Sequence, residues 1–257
     1  MTDQPPEPRP ASTLILLRRT ATYPLEALMV VRQAAIEFAG GAIVFPGGRV
    51  DDTDLAVAGY QDDEPFRFAA IRETFEESGI LLAYARQSGG LVSKETAKRL
   101  LEKYRIAVLR GELSFAEMLR TEGLRAATDL LVPFAHWITP PSRKKRYDTH
   151  FFVAACDMDH DILHDEGEVM KAIWIAPSRL LAEAKNDTYK LVFATRLNVE
   201  RLSAFTSVDE AIETIRNTPV VTVRPTSVDT PDGRMVRIPR EAGYGGELFL
   251  SNDPASI

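Results

Sequence analysis

Ala70-Ile71-Arg72-Glu73-Thr74-Phe75-Glu76-Glu77-Ser78-Gly79-Ile80 sets three carboxylates on one arc of an otherwise apolar segment. At about 100° per residue, Glu73, Glu76 and Glu77 share one side of a helix and Phe68, Ile71 and Phe75 the opposite one. The apolar side is expected to pack while the acidic side faces a cleft. Like charges three and four residues apart repel by roughly a few tenths of a kcal/mol per pair, so helix stability does not explain the pattern. A bound divalent cation reverses that sign. Oxygen ligands without histidine or cysteine suit magnesium, manganese or calcium better than zinc. Gly79 reads as the C-terminal cap.

Upstream, the β-like run Gly41-Ala42-Ile43-Val44-Phe45 ends in Pro46-Gly47-Gly48. Two adjacent glycines there allow a tight turn with exposed carbonyls, and a carbonyl is itself a metal ligand. Turn and helix together resemble the Nudix box, G-x5-E-x7-R-E-U-x-E-E-x-G-U with U aliphatic. Counted from Gly48, the first acidic position falls on Asp54, with Asp51 and Asp52 as alternatives, and Thr74 stands at an aliphatic position. The residues Leu55 to Ile71 lie where the usual box has a much shorter spacer, so this box is split, over 47–80. Further landmarks are Phe45-Pro46-Gly47-Gly48-Arg49-Val50-Asp51, Trp137-Ile138-Thr139-Pro140 and Arg146-Tyr147-Asp148-Thr149-His150-Phe151-Phe152. With these the chain is most similar to the Nudix branch that includes the Nudix motif 19 type coenzyme A diphosphatases.

That resemblance implies an α/β class fold, the Nudix-type α/β/α sandwich with a mixed β-sheet. It implies that Glu73, Glu76 and Glu77, with the carbonyl of Gly47, hold catalytic Mg2+ or Mn2+ and that Arg72 orients the carboxylates. Glu168, six residues before Trp174, takes the place of an extra ligand or general base, with Glu166 as substitute. The implied reaction is hydrolysis of a nucleoside diphosphate linked to another moiety. Coenzyme A or acyl-coenzyme A comes first, then NADH or ADP-ribose; a nucleotide-binding module without turnover is the alternative class.

The run Arg143-Lys144-Lys145-Arg146 offers four adjacent cations for a second phosphate such as the ribose 3′-phosphate of coenzyme A, with Arg32 and Tyr147 as further substrate contacts. A solvated basic loop is the simpler reading of the same residues. His136, His150, His160 and His164 share no metal-ligand spacing and read as surface or satisfied core residues.

Across 257 residues the net charge is −6 and hydrophobic residues make up 45%, enough for a core and without general attraction to nucleic acid or anionic membrane. No apolar run approaches the roughly 20 residues that span a bilayer. The lone Cys156 has no internal disulfide partner and sits in an apolar strand. Residues 1–10 read as a Pro-rich disordered tail, followed by a single domain over 11–257. The ending Pro254-Ala255-Ser256-Ile257 lacks a Ser-Lys-Leu address, which makes a cytoplasmic location the expectation. Strands are expected at 14–18, 27–31, 43–45, 130–138, 149–156, 169–175, 220–224 and 235–238. Helices are expected from 64, at 177–185, 189–205 and 208–217, and in an inserted lobe at 93–123. Within the lobe Ser93 and Ser114 start the helices, and its apolar stripes suit a cleft cover or a homodimer contact.

Overall fold

The computed structural model describes residues 5–32, 42–56, 63–156, 170–231 and 233–250. The chain opens with β1 (Arg9–Arg18), β2 (Glu26–Arg32), β3 (Ile43–Val44) and β4 (Gly47–Arg49), then a one-turn helix α1 (Asp52–Leu55) and the long α2 (Glu64–Ser78). A hairpin of β5 (Ala83–Ala85) and β6 (Leu124–Ala126) brackets α3 (Lys94–Leu109) and α4 (Phe115–Thr121). There follow β7 (Val132–Ile138), β8 (Tyr147–Ala155), β9 (Met170–Ile175), α5 (Pro177–Lys185), α6 (Phe193–Leu202), α7 (Val208–Arg216) and β10 (Thr222–Val223). A separate antiparallel sheet of β11 (Thr226–Thr230), β12 (Gly233–Arg237) and β13 (Leu248–Leu250) completes the described residues.

The main sheet is mixed, in the order β10-β7-β8-β1-β2-β3, with β4 on β1 and β9 on β2. β1 and β8 run parallel, whereas β2 and β4 are antiparallel to β1. Being central, β1 is buried on both faces: Leu14 and Leu16 point into one core, Ile15 and Leu17 into the other. The first core is closed by α2, α3 and α4, the second by residues of α5, α6 and α7, giving the α/β/α layering read from the sequence.

α2 begins with Pro65 in its first turn and ends at Gly79, whose left-handed backbone (φ 79°) lets its N–H reach Phe75 O at 3.0 Å. Its apolar side meets Phe115 of α4, with ring centroids 5.4 Å from Phe68 and 5.6 Å from Phe75. Ser93 and Ser114 cap α3 and α4 by accepting from Thr96 N and Glu117 N. From α3, the buried Arg105 donates Nε–H to Glu76 O at 2.7 Å.

Three expectations shift. Arg9 and Pro10, read as the end of a disordered tail over 1–10, are the first residues of β1, paired with Tyr147 and Asp148. The helix placed at 189–205 starts only at Phe193, because Lys190 bridges to Ala42 and its carbonyl accepts from Ile43 N at 3.0 Å, holding that stretch extended. The strand expected at 220–224 shortens to Thr222–Val223. No described helix is long and apolar enough to cross a membrane.

Candidate active site

The acidic side of α2 does not face an open cleft, as its helical spacing suggests. Glu76 and Glu77 are only 9% and 7% exposed, because α1 and β4 pack against them. Arg72, itself 5% exposed, organises the cluster. Its Nε and Nη2 donate to Asp54 at 3.0 and 2.7 Å, its Nη1 to Glu73 at 2.9 Å and Glu76 at 3.1 Å, and its Nη2 also to Arg49 O at 2.8 Å. The guanidinium therefore binds on every edge, a geometry a lysine cannot reproduce.

Asp54 is fully buried and also accepts from Asp51 N at 2.9 Å, so α1 carries it inward. Asp51 and Asp52 are exposed, and Asp51 comes no nearer to Arg72 than 3.6 Å. Of the three acids open at the first box position, the structure brings Asp54 onto Arg72.

Gly47 and Gly48 are needed for a reason other than the turn expected of them: they form strand β4, paired to Thr13 and Ser12. A Cβ on Gly47 would stand 2.5 Å from Ser12 O, and one on Gly48 2.4 Å from Glu73 Oε1. At Gly47 the obstacle is the backbone of β1, which cannot give way, whereas at Gly48 a side chain would push the Glu73 carboxylate aside. The Gly47 N–H then donates to Glu77 Oε2 at 3.0 Å.

This packing is electrostatically costly. Burial pushes the Glu73 carboxyl up to about 7, with Glu76 and Asp54 adding to the rise and Arg72 opposing it. Burial likewise raises Glu76, against the opposing pull of Arg72. For Arg72, burial disfavours the charge, but Asp54, Glu73 and Glu76 outweigh it and the pKa is raised. Three carboxylates thus touch one guanidinium, with Glu77 beside them, and a hard cation fits that oxygen donor set.

The other expected residues fare unevenly. Glu166 and Glu168 lie outside the described residues, as does the side chain of Arg32. The cationic run forms the turn between β7 and β8, and it divides. Arg146 spends its guanidinium on Thr139 O (3.0 Å) and Pro6 O (2.6 Å), whereas Lys144 and Lys145 are exposed. Tyr147 pairs with Arg9, three residues along β1 from Ser12. His160 and His164 are outside the described residues, but His136 and His150 face each other across β7 and β8 with Asp148 beside them. His136 is satisfied on both ring nitrogens, as read from the sequence, by Thr222 and Asp148; its contact with His150 comes from the hairpin register, for which the landmarks flanking the turn were the available signal.

Comparisons with known proteins identify relatives of the chain. The family model described as NUDT19 Nudix domain matches residues 57–202. Proteins named acyl-coenzyme A diphosphatase NUDT19 are similar to the chain. The one from Xenopus laevis is 25% identical over 76% of this chain and 64% of its own length, and the one from Gallus gallus 28% identical over 56% and 42%. The chain thus spans less than two thirds of the length of these curated relatives. The crystal structure of a Nudix hydrolase from Alicyclobacillus acidocaldarius aligns with a TM-score of 0.65 and 26% identity, over 83% of this chain and 99% of that one.

Proposed function

Since the chain belongs to the NUDT19 Nudix domain family, we propose that it is a divalent-metal-dependent pyrophosphohydrolase acting on coenzyme A or acyl-coenzyme A. The observation that carries this reading is the buried excess of carboxylate around Arg72, which Asp54, Glu73 and Glu76 all contact. Glu73, Glu76 and Glu77, with the carbonyl of Gly47, would hold Mg2+ or Mn2+. When bound, such an ion neutralises pyrophosphate oxygens and lowers the pKa of an attacking water.

The chain's own residues supply the preorganisation. Asp54 fixes Arg72, Arg72 fixes one oxygen each of Glu73 and Glu76, and the Gly47 N–H fixes Glu77. These carboxylates need no reorganisation when substrate arrives. Burial favours the protonated Glu73 carboxyl when no cation is bound, so proton and cation compete for the same oxygens. Glu168 remains the proposed additional acid.

Two supports favour a coenzyme A species: the names of the vertebrate relatives, and the exposed Lys144 and Lys145, free to meet a 3′-phosphate. The products would be adenosine 3′,5′-bisphosphate and (acyl-)4′-phosphopantetheine. The test is magnesium-dependent turnover of coenzyme A, acetyl-coenzyme A, NADH and ADP-ribose, with products identified by mass and Glu77→Gln as control. Adenosine 3′,5′-bisphosphate formed by the intact enzyme alone is the expected result. Preference for NADH or ADP-ribose overturns the substrate, and full activity of Glu77→Gln in saturating magnesium overturns the metal site.

A further inference from the structure

Strand register lines up five residues across the main sheet. Gly48 of β4 pairs with Ser12 of β1, Ser12 with His150 of β8, His150 with His136 of β7, and His136 with Thr222 of β10. Glu73 lies over Gly48 at one end. Toward the other, His136, His150 and Asp148 share the sheet face covered by the start of α2, where the Phe66 ring lies tilted against His150 with centroids 4.1 Å apart. At about 4.8 Å per strand, His150 is roughly 10 Å and His136 roughly 14 Å from Gly48. Ser12, uncharged and fully buried, separates the two groups.

We propose that His136, Asp148 and His150 bind a divalent first-row transition-metal ion of the zinc class, at a site separate from the carboxylates of α2. One ligand atom from each residue lies within 4.8 Å of those of the others. Ligands about 2 Å from a zinc ion stand roughly 3.3 Å apart, so the set closes on the ion by side-chain shifts of about an ångström. His136 Nε2 is hydrogen-bonded to Asp148 Oδ1, and a cation replaces the proton they share. Its Nδ1 lies 2.8 Å from Thr222 Oγ1, which accepts the Nδ1 proton once Nε2 carries the metal. That is the outer hydrogen bond a ligating imidazole needs. The three side chains are 18%, 35% and 30% exposed in the order His136, Asp148, His150, which leaves a path for the ion and room for water at the fourth position. Two imidazoles and one carboxylate select zinc, cobalt or iron over magnesium, the opposite preference to the all-oxygen set beneath α2. The ion would tie β10 to the hairpin of β7 and β8, immobilising the sheet edge on the side of the cationic turn.

The full chain, stripped with a chelator, is dialysed against Zn2+ in excess Mg2+, and bound zinc is counted by mass spectrometry. One zinc per chain is expected. It should be retained in Glu73→Gln/Glu77→Gln, lost in His136→Gln/His150→Gln, and bound at least ~10-fold more weakly in Asp148→Asn. Co2+ in place of zinc should give the wild-type protein strong visible bands of a low-coordinate nitrogen and oxygen site, a readout that needs no variant to fold. Substoichiometric zinc in the wild type, zinc retained by the double histidine variant, or pale octahedral cobalt bands would overturn the site. Neither result depends on which nucleotide is cleaved.

Discussion

Two charge clusters of this molecule use the same residue types to opposite ends. Around Arg72, one guanidinium answers Asp54, Glu73 and Glu76 in a nearly dry setting. Around Glu122, at the end of α4, one carboxylate receives Arg99 at 2.9 Å, Tyr104 at 2.6 Å and Lys103 at 2.9 Å. Those donors hold Glu122 well below the usual range, at about 2, whereas burial lifts Glu73 to about 7. The surface cluster has its charges answered and gains little, because its cations are more than half exposed. The buried cluster is short of positive charge and keeps a demand for it. Counting ion pairs would rank the two alike; counting the balance of charge sets them apart.

The widest separation is expected in turnover. Glu77→Gln should lower magnesium-dependent hydrolysis by about 10³-fold or more, beyond the 10- to 100-fold typical of residues that only support a ligand, while Glu122→Gln leaves it unchanged. Stability comes next. Arg72→Ala strands Asp54, fully buried, and should cost about 3–5 kcal/mol in chemical denaturation, against less than about 1 kcal/mol for Arg99→Ala. Comparable losses in the two variants would dissolve the contrast.

The pH response sharpens it further. A carboxyl raised from 4.5 to about 7 leaves the folded state holding more protons than the unfolded one in that window. Stability in chelator should therefore fall as pH rises from about 4.5 to 7, by at most about 3 kcal/mol. Magnesium should raise the melting temperature more at pH 8 than at pH 5.5, and an equal rise at both would remove Glu73 from the binding site. The smallest effect belongs to Glu122, whose depressed pKa runs the other way. Its contribution is present above about 4.5 and lost as pH falls toward about 2, so Glu122→Gln should flatten only the acid limb of the melting curve, by less than about 1 kcal/mol.

What could be read from the sequence was whatever is periodic or local. α2, its glycine cap and the serine caps of α3 and α4 follow from spacing along a few turns. Asp54 emerged from box counting, but its burial against two exposed neighbours is a property of how α1 docks. The glycines were recognised and misread. A turn and a close approach demand the same residue, and the packed Ser12 carbonyl and Glu73 carboxylate tell them apart. β5 and β6, three residues each, are too short to carry an alternating pattern. His136 and His150 are fourteen positions apart and meet through strand register alone.

α2 has no basic residue in its own last turn, although helix carbonyls there are left without partners and favour a cation. Arg105 supplies it from α3, through Glu76 O. The segment between β5 and β6 therefore cannot be treated as a removable cassette. Ala83 and Ala126 are paired neighbours, so splicing them together looks geometrically trivial, yet the shortened chain would lose the positive end-piece of its acidic helix. A minimal version of this protein has to keep α3 or graft an arginine of its own onto that helix end.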